Sequence, residues 1–349
     1  MENVRVGVIG MGNMGSQYAG MLEKGEIPGM ELTAVTRVKR EPPKGVPVFH
    51  TAEELLEYDN LDAVIIATPH YLHEEQAIRA MKRGLHVMCE KPAGVYALQA
   101  ERMNAEAEKQ GIVFGIMFQF RANPLYQKLR ELVNSGTYGP LRRVNWILTS
   151  WYRTEDYYRS APWRATWKTE GGGVLLNQAP HNLDLLQWIC GMPCRIQAHC
   201  QEGRWHHIEV EDEVTAYMEF PNGATGVLVA STGDYPGVDR LQIDLEKAQI
   251  ICEDGKLYIR SSEDKKTKQT MELCPEKCEK PYHRMLENFR DAIREGKPLI
   301  AEGTEGLKSL RISNAMYFSS WKNQMVDVPV DGEAFWRELQ GKISQSQEH

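Results

Sequence analysis

The sequence predicts an α/β chain of two domains: a doubly wound parallel sheet, then an α/β domain with a large, open, mostly antiparallel sheet. Three observations predict it. Strands and helical stretches alternate up to about residue 122. After Arg121 the alternation stops, and from Arg195 to Leu273 strands follow one another with turns but without helical crossovers. The 349 residues, at about 150 per domain, supply two cores. The boundary is placed so that residues 1–122 form the first domain and 123–349 the second.

Val4 to Gly10 is a β-branched run ending in glycine, as a buried parallel strand reads. A helical stretch covers Asn13 to Lys24, and strands follow at Glu31 to Val38 and Val46 to Phe49. Thr51 is placed to cap the next helix, with Glu54 completing a capping box. The strand Asp62 to Ala67 precedes a helix from Glu74 to Arg83 that Gly84 closes. Leu85 to Cys89, a helix over Val95 to Gln110 and Ile112 to Met117 finish the first sheet. In the second domain a helix spans Pro124 to Asn134 and a strand Leu141 to Ser150. An aromatic- and arginine-rich loop runs from Trp151 to Thr169, and a glycine-led helix reaches Cys190. Helices return at Tyr282 to Glu295 and Thr304 to Lys322, and the tail past Leu339 is expected to fray.

Composition narrows the function classes. Apolar residues make up 42% and charged residues 26% of the chain, which is ordinary globular usage. A net charge of −7 offers no basic field for a nucleic-acid backbone. No apolar run approaches the ~18 residues of a membrane span, and the chain enters its first strand at once, leaving no room for a signal peptide. Seven cysteines without a C-x-x-C pair argue against a disulfide framework and for a reducing, cytoplasmic setting. Cys190, Cys194, Cys274 and Cys278 with the nearby histidines match no common ligand spacing, so no metal is expected.

The motif Gly10-Met11-Gly12-Asn13-Met14-Gly15 lies where the first strand meets the first helix. Its first glycine permits the tight turn, the second lets backbone amides approach a pyrophosphate, and the third packs helix on strand. The helix N-terminus then favours the phosphate charge. NAD-type sites carry an acid at the end of the second strand. Arg37 stands there instead, and with Lys39 and Arg40 it favours the 2′-phosphate of NADP, NAD held by other contacts being the alternative.

Three further features coincide, the first of them at the carboxyl edge of that sheet, where ligands of such sheets bind. Glu90-Lys91-Pro92 ends the fifth strand, and a lysine there suits alkoxide stabilisation or proton shuttling. Thr68, Pro69, His70 and His73 follow the fourth strand beside the expected nicotinamide pocket, with His70 read as a wall rather than a base. Beyond the glycine triplet 171–173, Asn177 and His181 stand four apart on one helix face.

These residues resemble the glucose–fructose oxidoreductase / inositol dehydrogenase / rhizopine catabolism (Gfo/Idh/MocA) family. The resemblance covers nearly the whole chain and implies a Rossmann domain followed by a domain with a large open sheet. It implies oxidation or reduction of a secondary alcohol on a sugar, sugar nucleotide or inositol ring, with Lys91 and His181 as the acid/base residues. Asn177 stands where many relatives have aspartate; an amide there can still hydrogen-bond a substrate hydroxyl. Trp163 and Arg164 match a pair that lies by the cofactor in relatives.

The aromatic loop suits a pyranose, whose C–H face stacks on rings while its hydroxyls meet polar tips. Tyr152, Arg153 and Trp163 are its candidate substrate residues, with Arg121 and Asn123 facing the expected cleft. Asp212 is read as a structural strand residue. The leading expectation is NAD(P)-dependent oxidation of a ring hydroxyl of a sugar or glycoside, at C3, with an unphosphorylated sugar preferred. Alternatives are an inositol dehydrogenase and a redox-neutral glycosidase that oxidises C3 transiently to eliminate the aglycone. A non-enzymatic sensor is disfavoured by the intact Lys91 and His181. A homodimer or homotetramer through the open sheet is expected.

Overall fold

The computed structural model describes residues 3–37, 43–261, 269–276 and 278–346. In chain order the elements are β1 (Val4–Ile9), α1 (Asn13–Glu23), β2 (Met30–Thr36), β3 (Val48–Phe49), α2 (Ala52–Leu56), β4 (Ala63–Ile66), α3 (His73–Lys82), β5 (His86–Cys89), α4 (Ala97–Gln110) and β6 (Phe114–Ile116). There follow α5 (Pro124–Asn134), β7 (Leu141–Leu148), α6 (Glu155–Arg159), α7 (Val174–Asn177), α8 (Pro180–Cys190), β8 (Arg195–Glu202), β9 (Glu211–Glu219) and β10 (Thr225–Ser231). The remainder is β11 (Asp239–Leu245), β12 (Ala248–Glu253), β13 (Lys256–Ser261), β14 (Gln269–Leu273), α9 (Pro281–Glu295), α10 (Gly303–Lys322), β15 (Val326–Asp327) and α11 (Gly332–Gln345).

Residues 1–119 and 280–307 form one compact unit and residues 120–279 and 308–349 another. In the first, the strands run in the order β3-β2-β1-β4-β5-β6, all parallel. This is the doubly wound arrangement that the alternation predicts. Every residue of β4 is buried, because helices cover both faces of a parallel sheet. Residues 280–307 correct the linear boundary, which gave everything after 122 to the second domain. The His283 imidazole meets the Glu26 carboxylate at 2.8 Å, the Tyr282 ring lies edge-on to Tyr18, and Ile116 N–H donates to Ala301 O. These contacts hold α9 and its connection on the first sheet. Thr51 caps α2 as expected, accepting from Glu54 N–H, but Glu54 reaches back to His50 N–H.

The second unit carries nine strands in the order β14-β13-β12-β11-β7-β10-β9-β8-β15. All pairs are antiparallel except β7 with β10. Burial alternates along β9 and β10, as in a sheet with one covered face. On the open face Ile147, Tyr217 and Val227 remain exposed. The glycine-led helix is split: α7 stops at Asn177 and α8 starts at Pro180, because proline has no N–H to continue the ladder. The expected frayed tail is instead α11, capped by Asp331 and seated through Phe335 and Leu339. Among the described residues no helix is long and apolar enough to cross a membrane.

Candidate active site

In the first unit the glycine motif forms an open cradle. Gly10 takes φ +90°, a backbone that side chains disfavour, and its N–H donates to Thr36 Oγ1 at 2.9 Å. A Cβ on Gly15 would stand 1.9 Å from Gly10 O, so the third glycine is what lets α1 close on β1. A Cβ on Gly12 would meet nothing within 4 Å, and α1 begins there without a side-chain cap. An open space over a helix start of this kind fits a pyrophosphate, with Asn13 and Met14 at the first helical positions. Arg37 follows β2, exposed, its N–H held by Phe49 O. Lys39 and Arg40 lie outside the described residues.

At the far end of β5, Glu90 is almost fully buried. One of its oxygens takes a short hydrogen bond from the Tyr18 hydroxyl and the other accepts from Lys91 N–H at 3.1 Å. Burial pushes the Glu90 carboxyl up, while Lys91 and the Tyr18 bond pull it down. Burial and then the Glu90 charge raise the Tyr18 hydroxyl well above the ordinary range. Lys91 is half-buried, with its backbone pinned by this pair.

The Thr68 to His73 turn departs from expectation in two places. Thr68 Oγ1 is committed to Gln76 Oε1 at 2.7 Å. His73 has no exposed surface, and its Nδ1 and Nε2 stand 2.9 and 2.8 Å from Pro92 O and Thr68 O. It therefore clasps the Lys91-Pro92 segment to the turn after β4, and its assignment to the cofactor is corrected. Pro69 and the buried His70 remain on the turn itself.

In the second unit, glycines 172 and 173 bring α7 hard against β9. A Cβ on Gly173 would stand 1.9 Å from Glu211 O, and one on Gly172 would stand 2.3 Å from the Tyr317 hydroxyl. Glu211, fully buried, accepts from Gly173 N–H, Leu175 N–H and the Tyr317 hydroxyl at 2.7–2.9 Å. Burial pushes its carboxyl up to about 8 against the pull of these donors. This anchor fixes the stretch that delivers Asn177 and His181. The His181 ring lies 4.7 Å from that of Phe120, which also stacks on Tyr126. Tyr126, Trp146, Asp239 and Cys252 wall a cavity of about 370 Å³ in the same unit.

Around Asn177 the loop residues form a network. The Asn177 amide nitrogen donates to Glu170, whose other oxygen accepts from Ala165 N–H at 2.7 Å. Arg164 donates to the Tyr157 hydroxyl at 2.6 Å and lies over the rings of Tyr157 and Trp163. Gln178 donates to the same hydroxyl, and the Arg153 guanidinium also lies over the Tyr157 ring, 4.8 Å from its centroid. The exposed Tyr152 ring pairs with exposed Tyr235.

Two candidate substrate residues are corrected. Arg121 is 3% exposed, and its guanidinium grips both oxygens of buried Asp184 at 2.6 and 2.8 Å. Asn123 caps α5, accepting from Leu125 N–H. Asp212 is structural in a specific way: it accepts from three successive backbone N–H groups, Arg204 to His206, and from the His206 ring. Glu170, Tyr157, Gln178 and Tyr18 were missed. Glu170 had one signal, its place immediately before the glycine triplet; the others had none. Among the described residues no group of three or more His, Cys, Asp or Glu side chains is placed to hold a metal, and all seven cysteines are free thiols.

The chain matches known proteins in both units. The oxidoreductase-family model with an NAD-binding Rossmann fold matches residues 4–118, and the GFO/IDH/MocA C-terminal domain matches residues 126–257. The myo-inositol 2-dehydrogenase of Thermotoga maritima is 25% identical over 89% of this chain and 95% of its own length. The NADP(+) scyllo-inositol 2-dehydrogenase of Bacillus subtilis is 24% identical over 93% of this chain and 96% of its own. The structure of the WlbA dehydrogenase from Bordetella pertussis, in complex with NADH and UDP-GlcNAcA, has a TM-score of 0.82 at 25% identity. That match covers 95% of this chain and 100% of WlbA.

Proposed function

Because the chain belongs to the GFO/IDH/MocA family of NAD-binding oxidoreductases, we propose that it oxidises a secondary ring hydroxyl of a sugar or glycoside, at C3, with NAD(P) as acceptor. The observation that carries this reading is Lys91, half-buried at the end of β5 with its backbone tied to the Glu90–Tyr18 pair on the sheet that carries the glycine cradle. When bound, the nicotinamide accepts the carbinol hydride. Lys91 and His181 take the roles of proton-transfer groups for the hydroxyl, and Asn177 holds a neighbouring hydroxyl. The Arg164–Tyr157–Trp163 stack orders the loop, and the exposed Tyr152 and Tyr235 rings offer faces on which a pyranose stacks. The cofactor is NAD or NADP, with Arg37 favouring NADP; the relatives include an NADP(+) enzyme and WlbA carries NADH.

Inositol oxidation is the second reading, favoured by the inositol dehydrogenases that match this chain over nearly their full length. The open face bearing Ile147, Tyr217 and Val227 is the surface through which copies of the chain would associate.

The test is a product analysis with NAD and NADP supplied separately to a panel of aryl glucosides, galactosides and free inositols. Reduced cofactor in step with an intact keto-glycoside supports the leading reading, and reduction with inositol alone supports the second. Aglycone release without net cofactor reduction would replace both with a glycosidase. Lys91→Ala and His181→Ala are expected to lower kcat by about two to four powers of ten, the usual scale for losing a general acid or base.

A further inference from the structure

We propose that the cavity at the end of β7 binds a small organic cation, an ammonium on an apolar body that pairs with Asp239. The proposal is independent of the functional reading above. The cavity, of about 370 Å³, lies at the small end of the ~300–1,000 Å³ that ligand pockets span. One wall is α5, through Leu125 and the Tyr126 ring; the sheet supplies another through Trp146 and Leu241. Gly237 fixes the corner where the chain enters β11. A Cβ there would stand 1.8 Å from Thr149 O, and Thr149 N–H donates to Val238 O at 2.7 Å.

Asp239, the first residue of β11, lines this space held by one neutral donor. The Trp146 indole N–H reaches its Oδ1 at 3.0 Å. Among the described residues Oδ2 has no hydrogen-bond partner, and no lysine or arginine lines the cavity. The side chain is open to solvent, yet the surrounding walls push its carboxyl above the ordinary range, against the pull of the indole. Beside it are the Tyr126 hydroxyl and the Cys252 thiol, both also pushed up by burial, the thiol to about 12. Neither supplies a positive charge. The other charged groups of the lining are Glu253, which Arg240 holds at 2.8 Å, and Asp254. A partly desolvated carboxylate without a cation is unfavourable in a fold and marks a candidate ligand site. An ammonium supplies the counter-charge in a charge-assisted hydrogen bond, and its arrival favours the ionised form of Asp239. Its apolar body meets the leucines and the rings. An uncharged ring gains those contacts alone, and an anion meets three carboxyl groups.

Cyclohexylammonium, cyclohexanol and cyclohexanecarboxylate place three charges on one ring, and none is a sugar. Their binding is followed by NMR titration at pH 8, well above the ordinary Asp value of ~3.9. Salt at about 0.15 M screens the general attraction of a chain of net charge −7. Wild type is expected to bind the ammonium saturably, at least about tenfold more tightly than the alcohol, the scale of one charge-assisted hydrogen bond. The carboxylate should not bind. Asp239→Asn keeps an oxygen for the Trp146 indole and should lower the ammonium's affinity to that of the alcohol. Asp59→Asn removes the same charge from an exposed position in the other unit and should change nothing. No saturable binding, equal affinity for ammonium and alcohol, an unchanged Asp239→Asn or an equal loss in Asp59→Asn each overturns the proposal. Should Asp239→Asn not fold, Ser150→Leu places a larger side chain at an exposed point of the lining. It should weaken ammonium and alcohol alike, and unchanged binding in a folded Ser150→Leu puts the ligand elsewhere and overturns the proposal.

Discussion

Arg121 and Asp184 form a two-pronged ion pair, 2.6 and 2.8 Å, with both side chains almost wholly buried. Asp184 lies one turn beyond His181 on α8, so the pair ties that helix to the segment entering α5. The guanidinium also lies over the Trp188 ring at 5.1 Å. Removing one partner leaves a buried charge without its ion-pair counterpart, which costs about 3–5 kcal/mol. Arg121→Ala and Asp184→Ala are each expected to show this loss in chemical denaturation followed through a second-unit tryptophan. The double variant should lose less than the two single losses combined. Single losses below about 1 kcal/mol would place the pair among exposed bridges that contribute little.

The glycines of the cradle separate folding from binding. Gly15→Ala forces a Cβ to within 1.9 Å of Gly10 O and must push α1 off β1, lowering the thermal midpoint. Gly12→Ala meets nothing within 4 Å, so the midpoint should stay at the wild-type value. A dinucleotide phosphate in that open space would meet the new methyl group. The dissociation constant for reduced cofactor, read by fluorescence titration, should then rise at least tenfold in Gly12→Ala. Equal affinities for wild type and Gly12→Ala would put the cofactor elsewhere.

The same contrast shows what the sequence could display. The parallel sheet was legible because strands buried on both faces leave unbroken apolar runs, as Ala63 to Ile66 do. The cradle was legible because its spacing is local. Arg121 was misread because its partner lies 63 residues away, and a cleft arginine and a buried one look alike in one dimension. His73 was misread for a similar reason: a histidine at a helix start reads the same whether it faces a ligand or two carbonyls. Glu170 sits in a loop without periodicity, so nothing local paired it with Asn177. The return of residues 280–307 was hidden because an amphipathic helix does not name the sheet it covers.

His73 carries a pH dependence whose sign follows from its burial. Burial holds its pKa below the ordinary value, the Lys91 charge adds to this, and the Pro92 and Thr68 carbonyls oppose it. An unfolded histidine titrates near ~6.5. Between the lowered native value and ~6.5 the unfolded chain binds the extra proton, so stability rises with pH through that window. Acidification below ~6.5 should therefore destabilise the wild type. His86, also lowered by burial, acts in the same direction. His73→Gln should be less stable than wild type at pH 8, with a shallower decline between pH 7 and 5. A decline of unchanged slope would show that the ring titrates no lower in the folded protein than in the unfolded chain.

The proposed preference for NADP rests on Arg37. Its backbone is fixed by the bond to Phe49 O at 2.7 Å, at the end of β2, and its side chain is exposed. That is the place where an NAD enzyme of this fold holds its ribose with an acid. A guanidinium there gives a 2′-phosphate a charge-assisted hydrogen bond, worth about 1.5–3 kcal/mol, and gives the bare ribose little. Arg37→Ala should lower kcat/KM for NADP about ten- to a hundredfold, since each ~1.4 kcal/mol is tenfold, and leave the value for NAD within about threefold. Raising ionic strength should weaken wild-type NADP binding more than that of the variant, because the exposed charge is screened. Arg37→Asp should go further and reverse the preference, repelling the phosphate and accepting from the ribose hydroxyls. Equal losses for both nucleotides in Arg37→Ala would mean that this arginine supports the turn after β2 and that the choice of cofactor is made elsewhere.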